Sequence, residues 1–90
     1  MTITRINKTG RQYYLVTMPG GRTLISTHDK EIIVGHTTEE LIQSWYDWMI
    51  TGLNIQTAFK YLSDDEREFI LTGITSDEWN EMWKENKETE

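Results

Sequence analysis

The residues best suited to chemistry in this chain are carboxylates, and they come in two runs. Asp64, Asp65, Glu66 and Glu68 fall within "SDDEREF" (63–69), and Asp77, Glu78 and Glu81 within "TSDEWNE" (75–81). In each run an acidic residue stands three positions after a hydroxyl residue, Glu66 after Ser63 and Glu78 after Thr75. That spacing is the capping box, in which each side chain accepts the other residue's backbone N–H at a helix start. First-turn carboxylates also complement the positive end of the helix dipole. Helix chemistry therefore accounts for Asp64, Asp65, Glu66, Asp77 and Glu78. It does not account for Glu81, Glu85, Glu88 and Glu90, which add negative charge where a helix end favours positive. Closely set carboxylates on a rigid helical frame can imitate the phosphates of a duplex, whose charges lie about 1.7 Å apart along the axis. The expectation is an acidic face made by Asp64, Asp65, Glu66, Glu68, Asp77, Glu78 and Glu81 that contacts a protein partner.

Charge is segregated along the chain, whose net charge is −6. Residues 1–36 hold five basic residues against two acidic ones, and residues 37–90 hold four against thirteen. Such asymmetry speaks to partners more than to fold. The basic half offers the competing expectation: Arg5, Lys8, Arg11 and Arg22 with Tyr13 and Tyr14 have the composition of a stacking platform for single-stranded nucleic acid. The plainer reading is that one tyrosine faces the core and the arginines discourage edge-to-edge pairing.

Other chemistries find little support. With no cysteine, a thiol nucleophile, a disulfide and a thiolate metal site are all excluded. His28 and His36 are the two histidines. A nucleophile would need one of them as its base, yet they read more simply as a turn residue and a strand-end residue. His28, Asp29 and His36 match no established metal spacing. Gly20-Gly21 lacks the lysine-serine and following helix of a phosphate loop. Residues 54–73 suggest two short helices around a tight turn, but a DNA-reading helix does not begin with "SDDE". The expectation is a non-enzymatic protein without cofactor or metal.

These residues must be positioned by two kinds of element. "TITRI" (2–6), "RQYYLVTM" (11–18), "RTLIST" (22–27) and "EIIVGH" (31–36) are rich in β-branched and aromatic residues and separated by turn residues, including "PGG" at 19–21. They predict an antiparallel meander of three or four strands. Thr37 and Glu40 form another capping-box pair, opening a helix whose Leu41, Ile42, Trp45, Tyr46, Trp48 and Met49 make a wide apolar face. Asn54 caps a short helix with Ile55, Ala58, Phe59 and Leu62; Ser63 opens the next, with Phe69, Ile70 and Leu71. Thr75 opens the last, with Trp79, Met82 and Trp83.

The near-echo "MITGLN" (49–54) and "ILTGIT" (70–75) is shared punctuation and not a duplicated unit, since the flanks otherwise differ. Gly52 and Gly73 are each expected to end a helix in a left-handed conformation, and Asn54 or Thr75 to start the next.

A chain of 90 residues makes one domain: a β-sheet half at 1–36, a helical half at 37–84 and a frayed tail at 85–90. Large aromatics, each burying about 150–250 Å², make an unstapled core feasible. No stretch approaches the roughly 18 apolar residues of a membrane span, and the N-terminus lacks a signal-peptide pattern. The expected location is the cytoplasm, where the "NKT" sequon at 7–9 is idle.

The segment at 55–75, with "IQ-x-AF-x-x-L" (55–62), "LS-x-DEREF" (62–69) and "G-I-T" (73–75), followed by Trp79, resembles a helical segment of small uncharacterised bacteriophage and plasmid proteins. The resemblance covers about a third of the chain, leaves the N-terminal sheet without a counterpart, and carries no catalytic residues. It implies an accessory protein of a mobile element, acting in a bacterial host cell. Small acidic proteins of that kind often inhibit host enzymes or defences, including CRISPR systems and restriction enzymes.

The combined expectation is an α+β fold, an N-terminal β-meander covered by three or four short helices. Such a protein would bind and inhibit or modulate a host protein through its acidic helical face, a partner with a basic nucleic-acid-binding surface being the natural fit. The alternative is a nucleic-acid-associated protein using Arg5, Arg11, Tyr13 and Arg22. Arg67 is expected to clasp a carboxylate of the helix after Thr75. The chain would act as a monomer or homodimer.

Overall fold

The computed structural model of the chain describes residues 2–75 together with Asp77, Glu78 and Glu81. Four strands, β1 (Thr2–Ile6), β2 (Gln12–Met18), β3 (Arg22–Ser26) and β4 (Glu31–Val34), pair antiparallel in chain order. Three helices follow: α1 (Thr38–Met49), α2 (Ile55–Ala58) and α3 (Asp64–Thr72). This is the α+β arrangement expected. β1 coincides with its expected run, while β2, β3 and β4 are one or two residues shorter, and turn bonds take up residues at the strand ends. Asn7 N–H donates to the Arg11 carbonyl at 3.0 Å, and Thr27 N–H to the Lys30 carbonyl at 2.7 Å.

Register assigns the two faces of the sheet. Ile3 opposes Leu15, Arg5 opposes Tyr13, and Leu15 opposes Ile25. Directly opposed residues point to the same side, so Ile3, Arg5, Tyr13, Leu15 and Ile25 share the inner face. Tyr14, Val16, Leu24 and Ile33 lie on the other. The inner face is covered by Leu41, Trp45 and Trp48 of α1 and by Phe59, Leu62, Phe69 and Ile70 of the segments that follow.

Aromatic rings join the layers. Trp45 lies 5.4 Å from Tyr13 and 5.8 Å from Phe59, centroid to centroid, the latter pair perpendicular. Phe69 meets Tyr13 edge-on at 5.8 Å. Edge-to-face pairs of this kind add roughly 0.5–1.5 kcal/mol each beyond the burial of area. The indole of Trp45 keeps its polar end satisfied by donating Nε1–H to the Ile6 carbonyl at 3.0 Å, which fastens α1 to the end of β1.

The helix starts follow local side-chain chemistry. Thr37 and Glu40 form a full capping box at α1, Ser63 and Glu66 another at α3, and Asn54 caps α2 by accepting from Thr57 N–H at 2.8 Å. Thr75 and Glu78 also exchange both bonds, with Thr75 N to Glu78 Oε1 at 3.1 Å and Glu78 N to Thr75 Oγ1 at 3.4 Å.

The helix ends differ from one another. Gly73 is the C-cap of α3 at φ +79°, as expected. Gly52 also has positive φ, +83°, but α1 has already stopped at Met49 with Ile50 as its cap. The Tyr46 carbonyl accepts from Ile50 N–H at 2.8 Å and more weakly from Thr51 N–H at 3.4 Å. Thr51 Oγ1 and Leu53 N–H both donate to the Asp47 carbonyl. The Tyr46 and Asp47 carbonyls are thus satisfied from both sides of Gly52, which lies past the cap and turns the chain toward α2. The expected apolar face of the last helix (Trp79, Met82, Trp83) and the frayed tail at 85–90 lie outside the described residues.

Candidate functional site

The acidic residues divide into two groups set by α3. Asp64, Asp65, Glu66 and Glu68 belong to its first turns. Asp77, Glu78 and Glu81 are helical residues beyond its C-cap. α3 has nine residues, a rise of about 13 Å, with Asp64 and Asp65 at its start and Glu68 one turn before its end.

Within the first group several carboxylates have local tasks. Glu66 accepts from Ser63 N–H at 2.8 Å. Glu68 Oε2 accepts from Thr72 Oγ1 at 2.9 Å. Asp64 pairs with Arg67 one turn on, yet its side chain is 96% exposed. Asp65 is exposed. Among the described residues Arg67 is not bonded to the helix after Thr75. Its guanidinium bonds Asp64 within its own helix and donates to the Leu62 carbonyl at 2.5 Å and the Phe59 carbonyl at 3.3 Å. The Phe59 carbonyl also accepts from Leu62 N–H at 3.0 Å, and past the end of α2 Arg67 is the nearby fork of donors that reaches both carbonyls. Arg67 therefore locks α2 to α3. Beside it runs a groove of about 280 Å³ lined by Ile55, Gln56, Asp64, Arg67, Glu68 and Leu71.

In the second group Glu78 closes the chain onto the sheet. Its Oε2 lies 2.7 Å from Lys30 Nζ at the β3–β4 turn. The hydrogen bond from Lys30 first, and the backbone N–H of Thr75 second, hold the Glu78 carboxyl below its ordinary range. Asp77 and Glu81 are exposed.

The basic residues of the sheet do not make the stacking platform. Tyr13 is fully buried, with its hydroxyl donating to the Phe69 carbonyl at 2.5 Å and accepting from Asn7 Nδ2 at 3.4 Å. Burial pushes its phenol up to about 12 against the opposing influence of Arg11 and the Asn7 bond. It cannot stack on a base. Arg5 shares the inner face with Tyr13, whereas Arg22 opposes Met18 on the outer face at the far end of β2. Arg22 folds back on the Pro19 carbonyl at 3.2 Å, and Lys8 Nζ stands 5.5 Å from the Trp48 ring centroid. The four residues of the alternative are dispersed over both faces and both ends of the sheet.

The histidines sit at opposite ends of β4. His36 stacks on Tyr61 with centroids 4.4 Å apart and places Nδ1 3.7 Å from Glu40. His28 lies in the β3–β4 turn, beside a cavity of about 460 Å³ that also involves Asp29, Lys30 and Glu31. Among the described residues no group of three or more His, Asp or Glu could hold a metal ion, and no helix is long and apolar enough to cross a membrane.

One residue of consequence escaped the sequence reading. Asn7, the first residue of the "NKT" sequon, is buried and donates Nδ2–H to the carbonyls of Ile70 at 2.8 Å and Leu71 at 3.1 Å. Its Oδ1 accepts from Thr9 N, Thr9 Oγ1 and Arg11 N. This amide shapes the β1–β2 loop and caps the last turn of α3 at once. A comparison with protein-family models, curated proteins and solved structures finds no match for the chain.

Proposed function

We propose that the chain is a small non-enzymatic binding protein of a phage or plasmid, and that it inhibits or modulates a host protein through its acidic helical surface. The observation that supports this reading is the excess of exposed carboxylates over cations on the helices. The first turn of α3 holds Asp64, Asp65 and Glu66, and neither α1, α2 nor α3 has a basic residue in its last turn. Capping explains Glu66 and Glu78. It leaves Asp64, Asp65, Asp77 and Glu81 projecting from a frame fixed by Arg67 and Lys30. Carboxylates held on such a frame suit a partner rich in Arg and Lys, whose affinity and association rate rise with complementary charge. A host protein with a basic nucleic-acid-binding surface has that character, and acting in the bacterial cytoplasm follows from the same proposal.

The test is an affinity pull-down of tagged protein from bacterial lysate, with and without nuclease, read by mass spectrometry. One host protein enriched in both conditions supports the reading and identifies the target. Enrichment that disappears with nuclease contradicts it.

A further inference from the structure

The described residues also expose apolar side chains at one corner that neither the core nor the capping chemistry uses. Tyr46 is 54% exposed, Ile50 67% and Leu53 40%. On α1, Glu39, Gln43, Tyr46 and Ile50 follow one another at i, i+4, i+7 and i+11 and so share one outward row. Leu53 is exposed just past the helix end, beyond the turn at Gly52. The corner is rigid: Ile50 N–H and Leu53 N–H are bonded to the Tyr46 and Asp47 carbonyls, and Trp45 and Trp48 anchor the opposite side of the helix in the core. The exposed tyrosine is the aromatic anchor that binding hot spots favour, and Ile50 beside it extends the apolar area a partner could cover.

The rim of this patch says what covers it. Glu39, Glu40 and Asp47 are the charged residues of α1, and the helix has no lysine or arginine. Asp47 is held beside the row by Gln43, whose Nε2 donates to it at 3.1 Å. A second copy of α1 laid on this surface would set carboxylate against carboxylate, and an anionic membrane would be repelled in the same way. We infer that the Tyr46–Ile50–Leu53 corner docks a basic amphipathic segment of a partner protein, one whose apolar stripe is flanked by Lys or Arg. The inference rests on the reading of the chain as a binding protein for basic partners, and adds α1 as a second contact beside the carboxylates of α3.

The probes are two synthetic helical peptides of about 18 residues (five turns) with the same leucine stripe, one flanked by lysine and the other by glutamate. Each is titrated into the full chain, with backbone amide shifts mapped by NMR and affinity measured by calorimetry. The lysine peptide is expected to shift amides from Tyr46 to Leu53. Its binding should weaken about tenfold or more in Ile50→Ser and in Leu53→Ser, as truncation of a hot spot does. Substituting Asp64, Asp65 and Asp77 by Asn and Glu81 by Gln should change that affinity little. No binding of the lysine peptide, equal binding of the glutamate peptide, or self-association abolished by Ile50→Ser would each overturn the inference. Shifts confined to the α3 carboxylates would overturn it and leave the acidic-surface reading standing. Binding at α1 indifferent to the acidic substitutions upholds it, and leaves the α3 carboxylates to be tested on the captured partner itself.

Discussion

Asn7 and Ile70 are 63 positions apart in the chain, yet Asn7 Nδ2 donates to the Ile70 carbonyl across 2.8 Å. Because the same side chain organises the β1–β2 loop, sheet and helical half share one buried hydrogen-bonding centre. Replacing it by Ala strands the Ile70 carbonyl and the Arg11 N–H without partners. Asn7→Ala is expected to lower stability by about 2–4 kcal/mol, the cost of several unmet buried polar groups. Urea unfolding followed by tryptophan fluorescence measures it; a change within experimental error would show that water replaces the amide.

Gly52 and Gly73 are a matched pair for a second test. Both have positive φ, but a Cβ at Gly52 meets nothing within 4 Å, whereas one at Gly73 would come within 2.8 Å of Arg11 Nε. Gly52→Ala is expected to cost about 1 kcal/mol from backbone strain alone. Gly73→Ala should cost more, and Arg11→Ala should recover part of the difference in the double variant, a coupling that a thermodynamic cycle reads directly.

Tyr13 predicts behaviour at high pH. Its phenol is raised to about 12 in the folded protein, above the value of about 10 in an unfolded chain. The native state therefore holds the proton more tightly, and this contribution to stability is complete below pH 10 and lost as pH rises through 12. Tyr13→Phe should flatten that part of the stability profile, and the phenolate absorbance missing from the variant should be a component titrating near pH 12.

Glu78 predicts the opposite slope at low pH. The Lys30 hydrogen bond depresses its carboxyl, so its contribution is present above the ordinary carboxylate range and falls away as pH drops through the lowered value. The pair is solvent-exposed, so the effect is small and salt-sensitive. Glu78→Gln should reduce the acid dependence of stability, and an unchanged profile would show that the Lys30 contact contributes nothing.

How far the sequence revealed these features depends on how local their causes are. The capping boxes at Thr37, Ser63 and Thr75 were legible because each needs only two residues three positions apart. The strand order followed from short turns between β-rich runs. Alternation showed that Tyr13 and Tyr14 point to opposite sides, but only register against Ile3, Arg5 and Ile25 shows which side is buried. Arg67 was misassigned because a lone cation among carboxylates suggests an ion pair with the next helix, while the carbonyls of Phe59 and Leu62 are invisible until α2 ends there. Asn7 was illegible for the same reason: its partners are backbone groups brought by the fold. Of the candidate surfaces, the sequence supplied the charges of α3, but their spread from the start of that helix to one turn before its end is a property of the structure.

The central claim is that the outward carboxylates hold the partner, and it is tested most directly on the protein captured from lysate. Its affinity is measured by calorimetry for the native chain and for a variant with Asp64, Asp65 and Asp77 changed to Asn and Glu81 to Gln. These changes leave the Ser63–Glu66 and Thr75–Glu78 capping boxes in place, so circular dichroism should show the fold intact. The account predicts a loss of at least about tenfold, as expected when complementary charge is removed, and a weaker salt dependence. Equal affinity of the folded variant would contradict it.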